Sequence, residues 1–147
     1  ELGRALGELS YEGMCVALSG ELGTGKTVLA KGLAEGMGIS PDEVLSPSFT
    51  IARQYGGKRR FCHIDLYRLE GETEAEASGL HDYMYPPWVT AVEWPERASG
   101  LLPSDRIEIK LVHDGDSIRR VDIRALGEES ENVVYLLRQW GEAGSAL

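Results

Sequence analysis

The sequence predicts a three-layer α/β fold whose mixed sheet ends in antiparallel strands. Three observations predict it. A short apolar run opens into a glycine-rich turn and then a helix. Several more strand-like runs follow, separated by turn residues and short helical pieces. A late Asp114-Gly115 pair between alternating segments reads as a hairpin.

The elements follow in order. Residues 2–9 place Leu2, Ala5, Leu6 and Leu9 at helical spacing, in a helix weakened by two glycines. Residues 14–18, Met-Cys-Val-Ala-Leu, are continuously apolar and suit a strand buried on both faces. Ser19 to Gly25 is a glycine-rich turn. From Lys26 to Met37, Val28, Leu29, Leu33, Ala34 and Met37 recur at helical spacing, and Gly38 fits the stop. Residues 41–47 read as a loop, Phe49–Tyr55 as a strand, Gly56-Gly57 as a turn and Arg60–Leu69 as the next strand. A short surface helix is expected over 72–80, and Pro86-Pro87 breaks the chain. Val89–Val92 is a short apolar strand. After a turn at Pro103–Asp105, Arg106–Val112 alternates with Ile107, Ile109 and Leu111 on one face. Arg119–Ile123 is the returning strand, and Asn132–Trp140 carries a last helical pattern.

Composition bounds the function. A chain of 147 residues and 16.1 kDa predicts one domain over residues 1–147. With 42% hydrophobic and 27% charged residues, it has an ordinary globular balance. Fifteen Lys+Arg against 24 Asp+Glu give a net charge of -9, which disfavours a stand-alone nucleic-acid binder. Cys15 and Cys62 each sit in an apolar strand-like run and read as free buried thiols, with a disulfide or metal pair as the alternative. There is no CxxC spacing, and three scattered His make no zinc pattern. This usage fits a reducing compartment. No apolar run reaches bilayer length and no signal-peptide pattern opens the chain, so a cytoplasmic protein with no membrane contact is expected. The first residue is Glu1 rather than Met, as expected if a few native residues precede it.

The motif that carries chemistry is Gly20-Glu21-Leu22-Gly23-Thr24-Gly25-Lys26-Thr27, a full match to G-x-x-x-x-G-K-[ST]. Glycines let the backbone curl so that successive N–H groups face phosphate oxygens. The helix that follows aims its positive end at the same place. Lys26 is expected to reach the β- and γ-phosphates, and the Thr27 hydroxyl to hold Mg²⁺. The strand before and the helix after supply the confirming context. The alternative is a glycine-rich turn with a surface lysine. The dinucleotide pattern G-x-G-x-x-G is absent, and the Lys-Thr pair favours a nucleoside triphosphate such as ATP.

A second metal-side carboxylate belongs at the end of another buried strand. Phe61-Cys62-His63-Ile64-Asp65 offers Asp65, and period two puts His63, Asp65 and Tyr67 on one face. An edge strand with a solvated polar face is the alternative. Glu93 follows the apolar run 89–92, where open α/β sheets bind ligands, and is a candidate to complete the metal shell or orient attacking water. Trp94 is a candidate to stack on adenine, against a packing role. Glu96 reads as solvated surface. Ser48 and Thr50, in Ser46-Pro47-Ser48-Phe49-Thr50, are candidate γ-phosphate-sensing hydroxyls, against a plain proline turn.

Taken together, G-E-L-G-T-G-K-T, S-P-S-F-T, H-I-D-L-Y-R-L and E-W-P-E resemble the small bacterial TsaE family over roughly residues 1–125. The resemblance implies a P-loop NTPase fold with a mixed, mainly parallel sheet. It implies Mg²⁺-dependent ATP hydrolysis that supports threonylcarbamoyladenosine formation on tRNA. The partners it implies are TsaB and TsaD, with tRNA reached only through them. Position by position, it makes Lys26 the phosphate-binding lysine, Thr27 the metal-binding threonine, Asp65 the aspartate of H-x-D-x-Y-R, Glu93 the metal-side glutamate and Trp94 the tryptophan beside the nucleotide. Ser48 stands where the family often has Thr, and Val28 where a second Thr often follows; the residues after about 125 match no part of the pattern. The acidic balance agrees with docking onto a basic protein surface.

Two other classes compete. A small-molecule kinase needs an acceptor pocket and usually an arginine-rich lid, yet residues 66–105 hold only Arg68 and Arg97. A non-catalytic nucleotide sensor has no need of two strand-end carboxylates.

Overall fold

The computed structural model describes residues 1–40, 42–44, 51–56 and 59–145. The apolar run near residue 16 forms β1 (Cys15–Ser19), followed through the glycine turn by α2 (Lys26–Gly36). Before β1 lies α1 (Leu2–Glu8). Then come β2 (Ala52–Gly56), β3 (Arg60–Asp65), α3 (Glu72–Ala77), β4 (Trp88–Glu93), β5 (Arg106–His113), β6 (Arg119–Leu126) and α4 (Glu128–Ser145). Two 3-10 helices, Leu80–Met84 and Pro95–Leu101, flank β4.

The sheet runs β2-β3-β4-β1-β5-β6. β3, β4, β1 and β5 are parallel, and the two edge strands, β2 and β6, pair antiparallel. This is the mixed, mainly parallel α/β sheet that the sequence predicts. Val16, Leu18, Phe61, Val89, Ala91, Ile107 and Ile109 face one core with α1, α2 and α4. Cys15, Cys62, Ile64 and Val92 face the other, under α3 and the two 3-10 helices. β1, β3 and β4 are covered on both sides, which is why their centres are largely apolar, with His63 and Thr90 as the buried polar exceptions. Both cysteines are free and buried, and burial pushes each thiol up to about 12. Among the described residues, no helix is long and apolar enough to cross a membrane.

The glycines that weaken the first helix have a packing reason. A Cβ on Gly7 would lie 2.1 Å from Leu33 O, and one on Gly36 would lie 2.1 Å from Arg4 O. The backbones of α1 and α2 touch there, and only glycine permits it.

Several boundaries differ from the sequence expectation. The strand expected over 60–69 ends at Asp65, where its carboxylate accepts the Tyr67 N–H at 3.0 Å and turns the chain. The helix expected over 72–80 stops at Ala77, and a 3-10 helix follows. The strand expected to begin at Phe49 is described only from Ala52. The last helix begins at Glu128 rather than near Asn132 because Asp105, far away in sequence, caps it. The Asp105 carboxylate accepts the N–H groups of Glu129 and Ser130 at 3.0 and 3.1 Å and the Ser130 hydroxyl at 2.5 Å.

Candidate functional site at the carboxyl end of the central strands

The turn after β1 is built on backbone that other residues resist. Gly23 and Gly25 have φ of 79° and 101°, and Gly25 ends the turn in the left-handed region as the N-cap of α2. Nothing lies within 4 Å of a Cβ placed on either, so conformation, not crowding, calls for glycine. Gly20 is different: a Cβ there would meet Leu111 O at 2.4 Å, which seats the turn against β5. Glu21 and Leu22 are exposed at its tip, whereas Thr24 is buried and its hydroxyl donates to Glu21 O at 2.8 Å.

Lys26 is buried at the start of α2 and folds back into the curl. Its Nζ donates to Gly20 O at 2.5 Å and Glu21 O at 2.8 Å, and lies 4.4 Å from the centre of the Trp94 ring. Burial holds its ammonium below the usual lysine range, while Glu93, Glu96 and Asp65 pull the other way. One residue on, the Thr27 hydroxyl donates to Glu93 Oε1 at 3.0 Å and lies 3.2 Å from Oε2.

Parallel register brings the acids to the same place. Asp65 ends β3 opposite Glu93, which ends β4 opposite Leu18 of β1. The Leu66 N–H donates to Glu93 O at 3.0 Å and the Trp94 N–H to Leu18 O at 3.3 Å, so all three strand ends are pinned together. Glu93 is only 3% exposed. Asp65 is half-buried, and its carboxyl is raised above the usual range, first by burial. The Tyr67 N–H counters that, the charge of Glu93 adds to it, and His63 and Lys26 oppose it. Trp94 takes a left-handed backbone, φ 58° and ψ 50°, as it leaves β4. That turn brings its ring 5.0 Å from Tyr67 and over Lys26.

The structure therefore gathers Lys26, Thr27, Asp65, Glu93 and Trp94 at one end of the sheet. A cleft of about 780 Å³ opens beside them, lined by Gly20, Thr24, Trp94, Lys110, His113 and Arg120 among others. Arg120 reaches this cleft from the antiparallel edge strand β6. Ser48 and Thr50 lie outside the described residues. Sequence reasoning missed the partner of Glu93: His63 Nε2 lies 2.6 Å from Glu93 Oε2. The signal was its place on the Asp65 face of β3, but pairing across strands is not visible along the chain.

The residues fit a triphosphate and its cation. The curl offers backbone donors and a lysine whose hydrogen-bond partners among the described residues are carbonyls, and a hydroxyl and two carboxylates border it. Among the described residues, no three His, Cys, Asp or Glu groups converge as a ready-made metal cage. Mg²⁺ usually takes one or two protein ligands plus phosphates, so a sparse donor set suits it.

Comparison with known proteins identifies the family of the chain. A model of the family described as "Threonylcarbamoyl adenosine biosynthesis protein TsaE" matches residues 1–121. A Bacillus subtilis protein named for tRNA threonylcarbamoyladenosine biosynthesis, TsaE, is 39% identical over 120 residues, covering 81% of this chain and 74% of its own length. A Streptomyces coelicolor protein of the same name is 40% identical over 135 residues, covering 87% of this chain and 90% of its own. One from Treponema pallidum is 36% identical, covering 82% and 89%. The crystal structure of Bacillus subtilis YdiB superposes with a TM-score of 0.81 at 30% identity, covering 95% of this chain and 86% of that one.

Proposed function

Because the chain belongs to the TsaE family of threonylcarbamoyl adenosine biosynthesis proteins, we propose that it binds and hydrolyses ATP with Mg²⁺, in support of threonylcarbamoyladenosine formation on tRNA. TsaB and TsaD are the proposed partners, tRNA is reached only through them, and the cytoplasm is the proposed setting.

The observation that carries this reading is the contact of the Thr27 hydroxyl with Glu93, next to a lysine turned into the curl. Residues 20–25 supply backbone N–H groups to the phosphates. Lys26 exchanges its two carbonyl partners for phosphate oxygens. Thr27, Asp65 and Glu93 are the residues that would hold Mg²⁺, directly or through water. The ion, when bound, neutralises charge that develops on the phosphate oxygens. Glu93, buried and hydrogen-bonded on both oxygens, would either complete that cation's shell or orient a water for attack. Trp94 borders both Lys26 and the cleft and supplies a face for the base. Lys110 and Arg120 line the same cleft beside Glu21 and Glu96 and supply positive charge where an anion must enter.

ATP hydrolysis should be slow for the chain alone, because a lone domain of this kind often lacks a charge-stabilising arginine until a partner supplies one. Turnover measured alone and with TsaB and TsaD tests the proposal. A rise on adding the partners is expected. No hydrolysis in either condition overturns the ATPase reading, and unchanged turnover overturns the partnership.

A further inference from the structure

His63 is fully buried in β3, with Nε2 2.6 Å from Glu93 Oε2. Its Nδ1 is also buried and has no hydrogen-bond partner among the described residues. An orphaned polar atom in a core is unfavourable. An aliphatic side chain would avoid that orphan, since Phe61, Val89 and Ala91 face the same core from β3 and β4. The side chain is therefore a poor choice for packing and a good one for holding Glu93.

The orphan also selects the tautomer. A 2.6 Å contact with a carboxylate oxygen needs a proton between the two atoms. With that proton on Nε2, Nδ1 is left as a bare acceptor rather than a buried N–H, and unsatisfied buried N–H groups are the rarer kind.

Glu93 has two side-chain donors among the described residues, Thr27 and His63. They differ in what else they serve. Under the proposed function, the Thr27 hydroxyl is needed by the cation and must loosen its hold on Glu93. The Nε2–H of His63 has no competing acceptor among the described residues. We infer that His63 is the positioning residue of this site, holding Glu93 Oε2 so that Oε1 stays turned toward Thr27 whether or not nucleotide is present. This inference rests on the ATPase reading for its kinetic consequence, but not for its geometry.

Two measurements test it. Long-range ¹H–¹⁵N correlation on the nucleotide-free protein should show the His63 proton on Nε2; a proton on Nδ1 alone overturns the inference, whatever the protein catalyses. In partner-stimulated ATP hydrolysis, His63→Leu should lower kcat by ~10- to 100-fold with little change in KM, the loss usual for residues that orient a metal-side group. His63→Gln places an amide N–H near the lost Nε2–H and should recover most of the rate. His63→Asn, whose shorter amide matches Nδ1, should not. The Gln–Asn contrast keeps the test decisive if the Leu variant fails to fold. Equal rates for Gln and Asn, or a folded Leu variant with unchanged kcat, overturn positioning. A wild-type protein inactive with its partners overturns the proposed function instead, and leaves the tautomer measurement to judge His63.

Discussion

Residues 20–27 and the ends of β3 and β4 meet at the same spot but are built differently. The first region is continuous chain: glycines at φ of 79° and 101° shape it, and its donors are backbone groups. The second is assembled from strands adjacent in the sheet but 28 positions apart in sequence at Asp65 and Glu93, and it works through side chains held by cross-strand contacts. The curl is locally encoded, so its parts should fail one at a time. The acids are mutually dependent, because Glu93 shares hydrogen bonds with both Thr27 and His63 and repels the charge on Asp65.

The largest expected effect breaks the curl. Lys26→Ala should weaken ATP binding by ~100-fold or more in calorimetric titration, since losing one partner of a desolvated charge pair costs about 2–5 kcal/mol. Retained tight binding would mean that the backbone grips phosphate without the lysine. Asp65→Asn should act on the other region: kcat falls by ~100-fold while nucleotide affinity stays within a few-fold, the mark of an interaction made chiefly in the transition state. Equal loss of binding in both variants would erase the distinction between the two regions.

Asp65 also sharpens the comparison without nucleotide. Its folded-state carboxyl is raised, chiefly by burial, so the native state holds its proton more tightly than the unfolded chain does. Stability from this group is therefore full below the unfolded pKa and is lost as pH rises through the folded value. Thermal melts should show Asp65→Asn more stable than wild type at pH 7, with the gap closing in acid. A gap that widens in acid would reverse the assigned sign.

A smaller effect concerns the far end of the molecule. Burial pushes Asp105 up, but hydrogen bonds from the Ser130 hydroxyl, the N–H groups of Glu129 and Ser130, and the Tyr11 hydroxyl outweigh it and hold the carboxyl below the usual range. Asp105→Ala should cost about 1 kcal/mol in urea unfolding, the usual value of a helix cap, and leave nucleotide affinity unchanged. The smallest change is Trp94→Phe, which keeps an aromatic face and should shift ATP affinity by no more than ~3-fold, whereas Trp94→Ala should lose more. If the alanine variant binds as well as wild type, the ring belongs to packing against Tyr67.

The candidate site was legible unevenly, for reasons seen at particular residues. Gly20–Thr27 was readable because most requirements on it are local: positive φ, a helix start and two fixed side chains in eight consecutive positions; the contact of Gly20 with Leu111 is the exception. Glu93 was readable as a strand-end acid because it follows the short apolar run 89–92, and Asp65 as an acid carried by a largely apolar strand. The hold of His63 on Glu93 was not readable, since nothing along the chain says that β3 lies beside β4 in that register. The end of β3 was missed because the Asp65 side chain bonds to the Tyr67 N–H and turns a chain whose composition still looks strand-like. The early start of α4 was missed because its cap comes from Asp105.

From residue types and spacing alone come the α/β class, the phosphate-loop pattern, the buried thiols and the residues able to do chemistry, because each depends on periodicity or on neighbours a few positions apart. Which acids face each other, which donor holds Glu93 and where α1 presses its glycines against α2 arise only when distant segments pack. Those choices are set by strand order and register, and a one-dimensional pattern carries little record of either.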